Sequence, residues 1–128
     1  MKLSPHPKPF HLSLGERGEM MAWHYLIQQG YKIIEKNYRC PLGEMDVIAQ
    51  KKGYLCFIEI KTRSGRVLGY PEEAVSLPKQ KKLIRIAEWY LKEIRKGDLR
   101  VSFDVLAITL NENENPQFRL IENAFSLN

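Results

Sequence analysis

The sequence has no apolar run approaching the roughly 18 residues that a membrane-spanning helix requires. Its opening stretch, MKLSPHPKPFHLSLGERGE, contains no apolar segment of the kind that directs secretion. Membrane and secreted proteins are therefore set aside, and a cytoplasmic protein is expected. Cysteine is scarce: Cys40 and Cys56 lack the paired spacing of a zinc site and read as small, partly buried thiols of a reducing compartment. The three histidines, His6, His11 and His24, fall at no ligand spacing either, so structural or incidental roles are expected for them. No internal repeat or linker divides the chain, and 128 residues suffice for one core without disulfides. Proline clusters only near the start, at Pro5, Pro7 and Pro9. Residues 1–12 are thus expected to form a flexible arm, and residues 13–128 a single domain.

Charge is present in quantity, and its distribution is uneven. The net charge is +5, yet residues 61–100 alone hold eleven Lys or Arg against five acids, while the remainder of the chain is slightly acidic. A basic face built from one continuous segment suits a polyanion such as nucleic acid, although basic helices are also ordinary solvated surfaces. Arg63, Lys79, Lys82 and Arg85 are the candidate phosphate contacts in this segment.

Ser13-Leu14-Gly15-Glu16 has the form of a capping box, and the helix it starts can run until Gly30 stops it. Tyr31 to Tyr38 reads as a strand. Residues 44–50 and 54–61 read as two more around Lys51-Lys52-Gly53, which gives a three-stranded antiparallel start. Ser64 to Pro78 is a long loop with one helical turn at Pro71-Glu72-Glu73-Ala74. A second helix is expected from about Ser76 to Lys96, ended by Gly97, with Leu83, Ala87, Tyr90, Leu91 and Ile94 as its apolar stripe. Val101 to Leu110 makes a fourth strand and Phe118 to Ile121 a fifth, in the order αβββαβ(β).

The stretch GEMDVIAQKKGYLCFIEIKTR, Gly43 to Arg63, raises a specific question. Its later half, Tyr54 to Ile60, is apolar except at Glu59 and reads as a strand buried on both faces, with Lys61 two residues beyond that glutamate. An unpaired charge taken out of water costs roughly several kcal/mol, so a partner or a task is expected. Side chains two apart on a strand share a face, so Glu59 and Lys61 point the same way. If Lys52 and Gly53 are the two central turn residues, Lys51 pairs with Tyr54, Gln50 with Leu55, and Asp46 comes to lie opposite Glu59. Directly opposed Cβ atoms are only about 4.5–5.5 Å apart. A three-residue turn would shift the register by one and take Asp46 off that face. Two carboxylates so close repel unless a proton or a cation lies between them. Two carboxylates with positions left open for water and phosphate describe a Mg²⁺ site, and the adjacent lysine can orient water or steady developing negative charge. The chemistry suggested is phosphodiester hydrolysis. In the first helix, Glu19 shares a face with Ala22, Trp23 and Leu26, an unusual place for a solvated acid.

Asp46, followed thirteen positions on by Glu59-Ile60-Lys61 within a helix, three strands, a helix and a strand, resembles the PD-(D/E)xK nuclease superfamily. The helical acid is similar to that of its archaeal Holliday junction resolvase branch. More closely, Gly18-Glu19, Gly30-Tyr31, Asn37, Gly43-Glu44-Met45-Asp46, Phe57-Ile58-Glu59-Ile60-Lys61-Thr62-Arg63 and Phe103-Asp104-Val105 resemble the YraN family of uncharacterised bacterial proteins, along about residues 13–110. The resemblance implies a restriction-endonuclease-like αβββαβ core, a mixed central sheet flanked by helices. It also implies a Mg²⁺- or Mn²⁺-dependent site in which Asp46, Glu59 and the Ile60 carbonyl bind metal and Lys61 assists the nucleophile. Glu19 would stand behind these ligands or bind a water ligand. The implied substrate is DNA, branched or otherwise unusual, and a homodimer would suit symmetric cutting. The superfamily's proline before the acid is Met45 here.

Blander readings stand beside these. Glu59 and Lys61 alone make an ordinary strand-end ion pair. Glu44 either shares the site or simply begins its strand, and the second is favoured. Asp104 is read as satisfying backbone groups or pairing with a basic residue rather than binding metal. Thr62 and Arg63 touch phosphate or are solvated, and Trp89-Tyr90 is mostly core. The rival function is a non-catalytic DNA-binding accessory or protein-interaction factor on a nuclease scaffold.

Overall fold

Ser13 caps the first helix, α1 (Leu14–Gln28), as the sequence predicts. Its hydroxyl accepts the Glu16 N–H at 3.1 Å, and the Glu16 carboxylate accepts the Ser13 N–H at 3.1 Å. Two otherwise unpaired backbone donors are thereby satisfied. The far end closes around Gly30, where the Tyr31 N–H returns to the Leu26 carbonyl at 3.0 Å. The structure, a computed structural model, describes residues 13–65, 75–95 and 98–126.

Three antiparallel strands follow: β1 (Lys32–Cys40), β2 (Gly43–Lys51) and β3 (Tyr54–Arg63). The β2–β3 turn settles the register. Lys52 and Gly53 both have positive φ, 51° and 82°, as a two-residue turn of the kind that suits strand twist requires. Lys51 pairs with Tyr54 and Gln50 with Leu55, so the two-residue alternative holds and the three-residue one does not. The second helix, α2 (Leu77–Ile94), carries the chain across the sheet to β4 (Arg100–Thr109), which runs parallel to β3. A parallel neighbour demands such a crossover. Finally β5 (Gln117–Phe125) pairs antiparallel with β4, giving a five-stranded mixed sheet in the order β1-β2-β3-β4-β5.

Each face of the sheet carries one helix. Ala22 and Leu26 of α1 pack with Val47, Ala49, Ile58, Leu106 and Ile108. On the other face, Leu83, Ile86, Ala87 and Tyr90 of α2 pack with Met45, Ile48, Phe57, Phe103 and Val105. Strands β3 and β4 are therefore covered on both sides, which explains their continuous apolar runs. This is the restriction-endonuclease-like αβββαβ core that was expected, with β5 added at one edge.

Several boundaries move. The strand expected over Tyr31 to Tyr38 runs to Cys40, and the one expected over Phe118 to Ile121 extends over nine residues to Phe125. Ile86, absent from the expected stripe of α2, is fully buried at its centre, whereas Leu91 and Ile94 are half-buried. The last helical residue is Ile94, with Arg95 left-handed at φ 52°, rather than Lys96. The N-terminal arm, the turn at Pro71–Ala74 and the stop at Gly97 lie outside the described residues. Among the described residues no helix is long and apolar enough to cross a membrane.

Candidate active site

Glu59 sits on the α2 side of β3 at 5% exposure, as its place in an apolar run implies. Two ammonium groups reach it: Lys61 from the same strand, at 3.9 Å, and Lys79 from the first turn of α2, at 3.5 Å. Burial first, and then the nearby, hydrogen-bonded Asp46 carboxyl, push the Glu59 carboxyl up from 4.5 to about 7 against the opposing pull of the two lysines.

Asp46 is brought to Glu59 by the turn register. The β2–β3 ladder ends at Val47↔Ile58, and one more step in the same register sets Asp46 against Glu59. That step carries no backbone pair. Instead the Asp46 carboxylate accepts the Ile60 N–H at 2.8 Å. In an extended strand the N–H and C=O of one residue project to the same side, so the Ile60 carbonyl also faces the gap beyond the last ladder pair. Two carboxylates and this carbonyl are all oxygen donors, the donor chemistry that suits Mg²⁺ or Mn²⁺.

Helix α1 approaches from the other face. Gly18 lies against β3 so closely that a Cβ there would stand 1.9 Å from Thr62 Oγ1. The next residue, Glu19, lies beside the buried line Gly18, Ala22 and Leu26, near enough to Asp46 to be influenced by it. Desolvation raises the Glu19 carboxyl first and the Asp46 charge adds to that, while a hydrogen bond from Asn37 opposes both. Among the described residues no group of three or more His, Cys, Asp or Glu could hold a metal ion, so Glu19 is not packed as a third carboxylate beside the pair.

The basic residues divide. Lys79, expected on the phosphate-binding surface, reaches Glu59 at 3.5 Å. Lys82, one turn on, lies exposed over Gly43, and Arg85 is exposed on the outer surface of α2. Arg63 ends β3 with its side chain half-buried and its carbonyl accepting the Leu110 N–H at 2.8 Å. Sequence reasoning missed the place of Lys79. The Ser76 hydroxyl accepts the Lys79 N–H at 3.3 Å and fixes Lys79 in the first turn, but no local signal says that this turn comes to rest over Glu59.

The remaining groups take the plainer readings. Glu44 pairs with Arg39 at 3.4 Å in solvent, as a strand-starting residue would. Asp104 is buried and accepts hydrogen bonds from Tyr31 at 2.8 Å, Ser102 at 2.5 Å and the Asn123 backbone at 2.8 Å, which ties β5 and the start of β1 to β4. Cys56 lies beside it, and burial pushes its thiol up to about 12, so it is inert near neutrality. Both cysteines are free. Trp89 is exposed and Tyr90 buried, so half of that pair is core.

Fold and site together define an α/β protein with a restriction-endonuclease-like core and a lysine-flanked carboxylate pair at the end of its β2–β3 ladder. Residues 18–108 match the model of the Uncharacterised protein family UPF0102. The chain is 48% identical over 103 residues to a UPF0102 protein of Syntrophotalea carbinolica, covering 80% of this chain and 84% of that one. It is 39% identical over 119 residues to a UPF0102 protein of Clostridium kluyveri, covering 92% and 98%. With a UPF0102 protein of Caldicellulosiruptor saccharolyticus the identity is 40% over 113 residues, covering 88% and 96%. The protein belongs to the UPF0102 family, the YraN family that its motifs resemble.

Proposed function

We propose that the protein is a metal-dependent nuclease that hydrolyses phosphodiester bonds in DNA, with branched or otherwise unusual DNA as its substrate. The observation that carries this reading is the Asp46–Glu59 pair. Two carboxylates are forced together where burial and the neighbouring acid push one of them well above its ordinary value, and two lysines are drawn onto that same group. A structural ion pair needs one carboxylate; a second beside it adds repulsion that a divalent cation would relieve. Asp46, Glu59 and the Ile60 carbonyl would hold Mg²⁺ or Mn²⁺, whose presence would polarise the phosphoryl oxygen and lower the pKa of bound water. Lys61, on the same face, steadies the negative charge that develops on the phosphoryl oxygens as water attacks phosphorus and the ester oxygen leaves. Lys82 and Arg85 offer phosphate contacts along α2. Two-fold pairing of chains would supply the two sites that symmetric cutting of a branched substrate needs.

A second reading, a DNA-binding or partner-binding factor on the same scaffold, is favoured by one observation: Lys61 and Lys79 already stand 3.9 and 3.5 Å from Glu59, which gives it cationic partners without a metal. The two are separated by incubating labelled linear, flapped, single-stranded and four-way DNAs with Mg²⁺ or Mn²⁺, using wild type and Lys61→Ala. Metal-dependent cleavage by wild type, lost in Lys61→Ala, is expected. Binding without cleavage of any substrate would leave the second reading. Calorimetry should also find Mn²⁺ binding by wild type that Asp46→Asn abolishes.

A further inference from the structure

Asn37 is the residue of β1 that stands opposite Asp46, since Lys36↔Val47 and Tyr38↔Met45 flank it in the ladder. Its backbone is left-handed, φ 52°, in the middle of a nine-residue strand. Asparagine tolerates that conformation better than most residues, but no turn is made here to require it. What the conformation does is visible in the packing. Alternate residues of a strand should share a face, yet Val47 packs on the α1 side and Met45 on the α2 side. On β1, Lys36 lies over the Trp23 ring of α1 at 4.2 Å, while Tyr38 meets Tyr90 of α2 edge-on at 5.1 Å. The alternation therefore changes phase in both strands at the Asn37–Asp46 step. At that break the Asp46 carboxylate accepts the Ile60 N–H from the adjacent strand. The Asn37 side chain meanwhile hydrogen-bonds Glu19 of α1.

We propose that Asn37 is a positioning residue for the site. Its left-handed backbone makes the phase break that turns Asp46 toward Glu59 and Ile60, and its amide holds the Glu19 carboxylate behind Asp46. The proposal rests on the reading of Asp46 and Glu59 as a metal-binding pair. Backbone and amide are separable, because Asn37→Gly keeps the left-handed conformation and removes only the amide.

The test is Mn²⁺ titration by calorimetry, with thermal melts of the metal-free proteins, on wild type, Asn37→Gly and the double variant Asn37→Asp/Glu19→Gln. The double variant keeps a hydrogen bond between the two positions with donor and acceptor exchanged. Asn37→Gly should melt no lower than wild type yet bind Mn²⁺ about 10- to 100-fold more weakly, the usual result of losing a group that orients a ligand. The double variant should recover most of that loss, which a residue needed only for folding would not do. Equal Mn²⁺ affinity in wild type and Asn37→Gly would overturn the role of the Asn37 amide and leave the metal site standing. No Mn²⁺ binding by wild type would overturn both. Should Asn37→Gly melt lower, the double variant decides: recovered affinity supports the proposal, and its absence overturns it.

Discussion

A single carboxyl concentrates the energetics of the site. Glu59 titrates near 7 in the folded chain against an ordinary 4.5, so between those values the folded protein holds a proton that the unfolded chain has released. Stability must then fall as pH rises through that window, because the state that binds more protons is favoured at the lower pH. Urea melts of the metal-free protein at pH 5 and pH 8 should show the loss, and Glu59→Gln, which cannot ionise, should remove Glu59's share of it. An unchanged difference in Glu59→Gln would place the titration elsewhere. Divalent metal binds the ionised carboxylate, so Mn²⁺ affinity should rise across the same interval. The two acids of α1 make a contrast at the same scale. Glu16 is held below the usual carboxylate range by its backbone and hydroxyl contacts with Ser13, whereas Glu19 is held above it by burial and Asp46. Glu16→Ala should lower the melting temperature and leave metal affinity unchanged. Glu19→Gln should keep the fold and weaken Mn²⁺ binding by roughly 10- to 100-fold. The reverse pattern would shift the site by one turn of α1.

The elements deliver these residues, and two positions decide how. Gly18 in α1 would ordinarily gain about 1 kcal/mol of helix propensity on replacement by alanine. Here the new methyl would stand 1.9 Å from Thr62 Oγ1, and overpacking typically costs about 1–3 kcal/mol, so the clash should win. Gly18→Ala is therefore expected to lower the melting temperature and, by lifting α1 off β3, to weaken metal binding; a stabilised Gly18→Ala would show that the contact yields. Ser76→Ala should cost about 0.5–2 kcal/mol as a lost cap of α2, read from urea melts. What was legible in the sequence follows the same division. The Ser13-x-x-Glu16 box, the Lys52-Gly53 turn and the Glu59-x-Lys61 spacing are local, and each fixed its element or register. Asp46 opposite Glu59 was legible because a two-residue turn propagates its register down the ladder. The hold of Lys79 on Glu59 was not, since sequence places Lys79 in a helix but does not say where that helix comes to rest. Nor was the phase break at Asn37: alternation read along one strand gives no warning of a left-handed residue whose effect appears in the neighbouring strand. The length of β5 was missed because Glu122 and Asn123 are polar and exposed and the register against β4 shifts beyond Ile121, which interrupts the alternation that would have marked the strand.

At the scale of the molecule, the question is how the basic segment meets the site. Lys82 and Arg85 follow Lys79 along α2, leading away from Glu59, so a DNA strand tracking the helix would arrive at the carboxylates. Each phosphate contact lowers the slope of log affinity against log salt by about 0.9 on duplex DNA. In a Lys61→Ala background, where cutting is suppressed, the double replacement Lys82→Ala/Arg85→Ala should flatten that slope by about 1.8 if both residues touch phosphate. Lys79 should behave differently. Without metal it is engaged 3.5 Å from Glu59 and has little charge to offer a phosphate, so Lys79→Ala should leave the slope nearly unchanged. If Mg²⁺ binds the carboxylates as proposed, they would have another partner and Lys79 would be released, and the same replacement should then flatten the slope by about 0.9. Measuring the slopes with and without Mg²⁺ on the three proteins separates a fixed basic surface from one that the metal completes. An unchanged slope in Lys82→Ala/Arg85→Ala would move the DNA path off α2. An equal effect of Lys79→Ala in both conditions would mean that Lys79 is a plain surface contact, and that its pairing with Glu59 does not govern how DNA is held.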